Sequence, residues 1–208
     1  MRGKFISFEG GEGAGKSTQA RLLQQKLEGR SHSVVLTREP GGSPGAEEIR
    51  KLLVEGEPGR WTPLTETLLF VAARSDHVAC VIEPALHRGA WVVCDRFSDS
   101  TFVYQGVARG LGLERAHALQ QIALGEFKPD LTLVLDIAPR LGLARTHART
   151  HAETRFEKFD DEFHGRLRSA FQELAKAEPQ RCVLIDGTRD AEAVSADVWR
   201  AVEGRLSP

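Results

Sequence analysis

Three cysteines in 208 residues, Cys80, Cys94 and Cys182, are too few and too odd in number for a disulfide framework, and none is spaced as a metal ligand. Each lies in an apolar run, which predicts three small buried hydrophobes. No apolar stretch approaches the roughly 20 residues that a membrane-spanning helix needs, and the N-terminal MRGKFISFEGG has no signal-type hydrophobic region. An excess of one charge is missing too. Lys plus Arg number 28 and Asp plus Glu 29, so the net charge of -1 gives nucleic acid or an anionic membrane no overall attraction. Anion binding must therefore be local. Together these absences predict a cytoplasmic protein with neither a nucleic-acid nor a membrane partner. Internal repeats and low-complexity linkers are also lacking, and 1–208 reads as a single domain.

What the chain does have is alternation. Short β-rich runs at 4–9, 33–37, 91–94, 131–136 and 181–186 are separated by longer helical patterns. WVVC, LTLVL and CVLI are continuously apolar, as suits strands covered on both faces of a parallel sheet. Helices are predicted at 16–27, ending at Gly29, at 47–54, and at 63–88 with a kink or restart at Pro84. Further helices follow at 113–124, 139–147, 160–177 and 191–206, the last with Asp190 as its N-cap. The order predicts an α/β fold of three layers, with five parallel strands flanked by helices. The irregular, charged stretch 144–163 reads as a lid.

Between the first strand and the first helix lies Gly10-Gly11-Glu12-Gly13-Ala14-Gly15-Lys16-Ser17, followed by Thr18, a G-x-x-x-x-G-K-[ST] phosphate loop in the context that motif requires. Glycines let successive backbone N–H groups turn inward as an anion nest, and the positive end of the helix adds to it. Lys16 can reach the β- and γ-phosphates, and the Ser17 hydroxyl can take a place on Mg²⁺. The pattern predicts a P-loop NTPase fold that binds the phosphates of a nucleoside triphosphate. A guanine-reading N-K-x-D is missing, and the chain is small for a motor or transporter ATPase, which leaves a small-molecule kinase as the leading class.

Open α/β sheets bind ligands beyond the carboxyl ends of their strands. TREPGG (37–42) follows the second strand and DRFSDSTFVYQG (95–106) the third. Arg38 and Arg96 thus emerge at the rim that holds the glycine loop, placed to fork onto a phosphate. Asp95 stands at a strand tip, where a carboxylate can orient Mg²⁺. Periodicity alone puts Phe70 in the core and Arg50 on a helix surface.

FEGGEGAGKST, TREPGG, EEIRKLL, LLFVAARSDH, DRFSDSTFVYQG, GEFKPDLTLVLD and TRFEKFDDEFHGRLRSAFQELA, taken in order, resemble the bacterial thymidylate kinases over most of the chain. The resemblance implies transfer of the γ-phosphoryl of ATP to dTMP, with Mg²⁺ as cofactor and a homodimer formed through helices that include 69–81. It implies that Arg38, Arg50 and Arg96 grip the dTMP phosphate, with Glu12 and Glu39 near the sugar hydroxyl or metal-bound waters. Phe70 would stack on thymine and Arg74 would face a ring carbonyl, the two being four apart on one helix face. Thr101 and Gln105 would bond the remaining base edge, and Tyr104 would crowd the sugar's 2′ position. From the lid, Arg149 and Arg155 are the candidates to offset charge on the transferring phosphoryl, and Arg145 would stack on adenine. THARTHAET is not a close match to the family's lid, and Phe97 and Phe171 replace polar side chains common in relatives. His147 and His151 read as solvated lid residues. The rival readings are another nucleoside monophosphate kinase, a deoxynucleoside kinase, which would leave the three arginines without an acceptor phosphate, and a protein that only binds ATP.

Overall fold

The computed structural model describes residues 2–147 and 155–208. Five strands, β1 (Phe5–Glu9), β2 (Val34–Arg38), β3 (Trp91–Asp95), β4 (Leu131–Asp136) and β5 (Cys182–Asp186), form one sheet in the order β2-β3-β1-β4-β5 with every pairing parallel. Each predicted strand is found within a residue of its expected ends. β1, β3 and β4 are buried almost throughout, which explains their unbroken apolar runs.

Helices cover both faces. On one side α1 (Lys16–Glu28) and α9 (Ala191–Leu206) bring Leu23, Leu27, Val194, Val198 and Trp199 against Ile6, Val93 and Leu133. The backbone N–H of Gly29 closes the end of α1 on Gln25, and the Asp190 carboxylate accepts from Ala193 N at 2.8 Å as the expected cap of α9. The other side carries α2 (Pro44–Val54), α3 (Pro63–His77), α4 (Glu83–His87), α5 (Ser98–Thr101), α6 (Leu113–Leu124), α7 (Pro139–His147) and α8 (Asp161–Ala177). Phe97 and Phe171 sit in apolar clusters on that face, so both departures from the family pattern are core packing.

Two segments differ from the sequence reading. Helix 63–88 widens into a π-turn at Val78–Ile82 and runs on into α4, with Pro84 directly after the widened turn. The widened turn sends Val78 and Ile82 inward and Cys80 outward, so Cys80 is exposed and only Cys94 and Cys182 are the buried hydrophobes expected of all three. The second is Ser98–Ala108, a short helix running into a π-helix at Phe102–Ala108. Nearly all of it is buried, so it has no polar face for a periodicity to reveal. Among the described residues no helix is long and apolar enough to cross a membrane.

Candidate active site

Because all five strands run the same way, Glu9, Arg38 and Asp95 end at one rim, and the backbone stitches them together. Arg96 N donates to Phe8 O at 2.9 Å, and Glu39 N donates to Asp95 O at 3.0 Å. The loop after β1 needs its glycines. Gly13 has φ +66°, and a Cβ there would lie 1.9 Å from the carbonyl of Gly142 on α7; Gly10, at φ +131°, would press 2.4 Å against Leu135 O. Lys16 is buried beneath the loop, and its Nζ donates to the carbonyls of Gly10 (3.1 Å) and Gly11 (2.7 Å). Burial, with Arg96 close by, lowers its pKa to about 8.

A cavity of about 280 Å³ opens beside the loop. At the end nearest the loop the Ser17 hydroxyl donates to Asp95 Oδ2. Among the described residues no group of three or more His, Cys, Asp or Glu could hold a metal alone. A hydroxyl and one carboxylate fit Mg²⁺, which takes its remaining oxygens from water and phosphate.

The far end is built from arginines and a carboxylate network. Arg96 adopts φ +71°, a strained left-handed conformation for a side-chain-bearing residue, and this swings its guanidinium back over the loop. It donates to Gly10 O (3.1 Å), Ser100 Oγ (3.0 Å), Glu12 Oε1 (2.9 Å) and Tyr104 OH (2.9 Å). Burial raises the Glu12 carboxyl, but Arg96, Lys16 and the Tyr104 hydroxyl overcome it and hold the group at about 2. Arg38 and Arg50 line the same cavity from β2 and α2; Arg38 pairs with Glu47 at 3.0 Å, and Arg50 donates to Pro40 O at 2.6 Å.

Deeper in, α3 presents Phe70 half-buried beside Phe156, with ring centres 6.1 Å apart, and Arg74 one turn on. Periodicity would have made Phe70 core, yet it forms a wall of the cavity. Arg74 is fixed by Glu39 (2.7 Å), Gln120 (3.0 Å) and Thr101 (2.8 Å), while His77 holds the other oxygen of Glu39 at 3.1 Å. Gln105 lines the cavity and donates to Glu66 at 2.9 Å.

A family model described as "Thymidylate kinase" matches residues 8–198. The chain belongs to the thymidylate kinase family. A relative from Bradyrhizobium sp. (strain ORS 278), named "Thymidylate kinase", is 54% identical over 207 residues, 99% of this chain and 92% of the relative. One from Caulobacter vibrioides (strain ATCC 19089 / CIP 103742 / CB 15), with the same name, is 52% identical over 205 residues, 99% and 98% of the two chains. The crystal structure of thymidylate kinase from Ehrlichia chaffeensis superposes with a TM-score of 0.78 at 33% identity, covering 97% of this chain and 99% of that one.

Against the thymidylate kinase pattern, the structure brings Glu12, Gly13, Gly15, Lys16, Ser17, Arg38, Glu39, Arg50, Phe70, Arg74, Asp95, Arg96, Thr101, Tyr104 and Gln105 around one cavity. Gly10, Gly11, Ala14 and Thr18 form the loop and first turn behind it. Arg145 donates to Gly187 O (2.9 Å) and Thr188 O (3.1 Å), in the loop that abuts Ala14 on the donor side. Arg149 lies outside the described residues. Arg155 is the correction. Its guanidinium is wholly buried on the carboxylate of Glu66 and the carbonyl of Leu53, because a buried carboxylate demands a cation, and it does not line the cavity.

Sequence reasoning also missed Glu9. It accepts from Phe97 N (2.8 Å) and Ser100 Oγ (2.5 Å), and burial, followed by the nearby Asp99, raises its pKa to about 7. Its signal was a carboxylate inside an apolar strand ending at the phosphate loop.

Proposed function

We propose that the protein transfers the γ-phosphoryl group of ATP to the 5′-phosphate of dTMP, giving dTDP and ADP. The observation that carries this reading is one cavity with two unlike ends, a glycine loop with Lys16 and Ser17 at one and three arginines with an aromatic pocket at the other.

The loop amides and Lys16 receive the triphosphate, with Arg145 beside adenine. Ser17 and Asp95 would hold Mg²⁺, which when bound withdraws charge from the β- and γ-phosphates. Arg38, Arg50 and Arg96 receive the acceptor phosphate. That phosphate is largely dianionic at neutral pH, its second pKa being about 6, so it attacks without a general base and catalysis falls to positioning and charge. Glu12, already ionised and locked to Arg96 and Tyr104, keeps that arginine aimed, Tyr104 closes the sugar's 2′ side, and Glu39 anchors Arg74. Thymine stacks on Phe70 and meets Arg74, Thr101 and Gln105. Arg149, in the 144–163 lid, is the arginine assigned to the transferring phosphoryl. The protein works in the cytoplasm as a single-domain chain, paired as a homodimer through the exposed stripe of Leu64, Leu68 and Ala72 on α3.

A coupled ADP assay with Mg-ATP tests the reading. Turnover is expected with dTMP, less with dUMP, and little with thymidine, AMP or CMP. Equal turnover of thymidine would make the protein a nucleoside kinase instead, and ATP binding without ADP release would leave only a binder. Lys16→Ala should lower kcat by about a hundredfold or more, as expected for a lost charge-stabilising group; near-normal turnover would sink the loop assignment.

A further inference from the structure

Glu66 is a carboxylate with no access to water, one helical turn before Phe70 on α3. Three side chains converge on it. Arg155 pairs with Oε2, Arg109 Nε lies 3.6 Å from Oε1, and Gln105 Nε2 donates to Oε1 at 2.9 Å. Arg155 is itself wholly buried and spends its Nε on Leu53 O at 3.0 Å. Two guanidinium groups, which carry donors only, thus face one carboxylate, and its oxygens act as acceptors towards them.

That decides which way round the amide of Gln105 stands. Only its NH₂ end can meet Glu66, so the Oε1 end turns to the cavity that Gln105 lines, and no hydrogen bond to Oε1 is made among the described residues. A base edge brought against Oε1 has to donate. Arg74, held by Glu39, Thr101 and Gln120, lines the same cavity and carries donors only, so the neighbouring position on the base has to accept. Thymine and uracil offer that pair, an N3–H donor beside the O4 acceptor. Cytosine offers the reverse, an unprotonated N3 beside an amino group.

We propose that Glu66 is a positioning residue for base selection: by fixing the amide of Gln105 with its carbonyl towards the base, it makes the cavity accept thymine and uracil and turn away cytosine. This rests on dTMP as acceptor. It assigns to the buried Glu66–Arg155–Arg109 group a task in specificity beyond packing.

The test is Glu66→Gln, whose neutral amide both donates and accepts and so frees Gln105 to flip. With Mg-ATP, kcat/KM is measured for dTMP and for dCMP in the natural and variant proteins. The ratio of the two should fall by about tenfold or more, the size of a mispaired buried hydrogen bond. A loss of folded protein scales both values equally and leaves the ratio where it was. If Glu66→Gln leaves Arg155 unpaired and the chain unfolded, the double variant Glu66→Gln/Arg155→Met removes that buried pair, Arg109 keeping its bond to Trp61 O at 2.7 Å, and is read in the same way. An unchanged ratio in the folded variant overturns the proposal while dTMP kinase activity stands. Failure of the natural protein to use dTMP overturns both.

Discussion

Glu9 sits where the central strand hands over to the phosphate loop, and its protonation couples that spot to pH. A carboxyl whose pKa rises from 4.5 to about 7 on folding binds its proton more tightly when folded. Its contribution to stability is fully present below about pH 4.5 and is lost as pH rises through about 7. Glu9→Gln, neutral at every pH, should therefore flatten the decline in Tm between pH 5 and 8, and melting curves that fall in parallel for both proteins would remove the effect from Glu9. Residues of this kind were hard to read from the sequence, because their behaviour comes from burial and from neighbours far along the chain, Asp99 and Ser100 here. Arg38, Asp95, Arg96 and Lys16 were legible from position alone, since strand ends and the phosphate loop share a rim in any parallel sheet. Arg50, Phe70, Arg74 and Gln105 were legible only through family resemblance, helical spacing alone giving Phe70 and Arg50 other places.

At the scale of elements, the phosphate loop is wedged against α7 by two facing glycines. A Cβ on Gly142 would stand 2.2 Å from the carbonyl of Glu12, so Gly142→Ala must push the helix off the loop. The cost should be roughly 1–3 kcal/mol, as for other overpacked sites, with a raised KM for ATP. A thermal melt and an ATP titration check this, and an alanine variant with neither change would mean the helix yields freely. The strands were predictable because continuous apolar runs admit few other fates. The helical Ser98–Ala108, α-helical and then π-helical, was not, because a segment wrapped on nearly all sides has no amphipathic face and its Thr, Phe, Val and Tyr favour strands. Arg155 was misread for a related reason. An arginine in an irregular, charged stretch reads as a lid residue reaching for phosphate until the buried carboxylate that claims it, 89 positions earlier, is known.

For the whole molecule, the leucines of α3 predict association. Leu64 and Leu68 are each 47% exposed, one turn apart, and single-sign charge does not oppose pairing in a chain of net charge -1. Sedimentation should show a dimer for the natural protein and a monomer for Leu68→Glu, which places a charge in the middle of that stripe, with a thermal melt to confirm that the variant is folded. A natural protein that sediments as a monomer would retire the dimer. Sheet order has another outcome. β1 lies in the middle, and its partners are β3, at Trp91–Asp95, and β4, at Leu131–Asp136. During translation the first strand leaves the ribosome long before either flank exists, so the nucleotide cradle that hangs from it can take shape only after most of the polypeptide has been made. Such long-range closure is slow compared with local helix formation. A nascent chain stalled before position 131 should accordingly fail to retain ATP, however complete its phosphate-loop sequence.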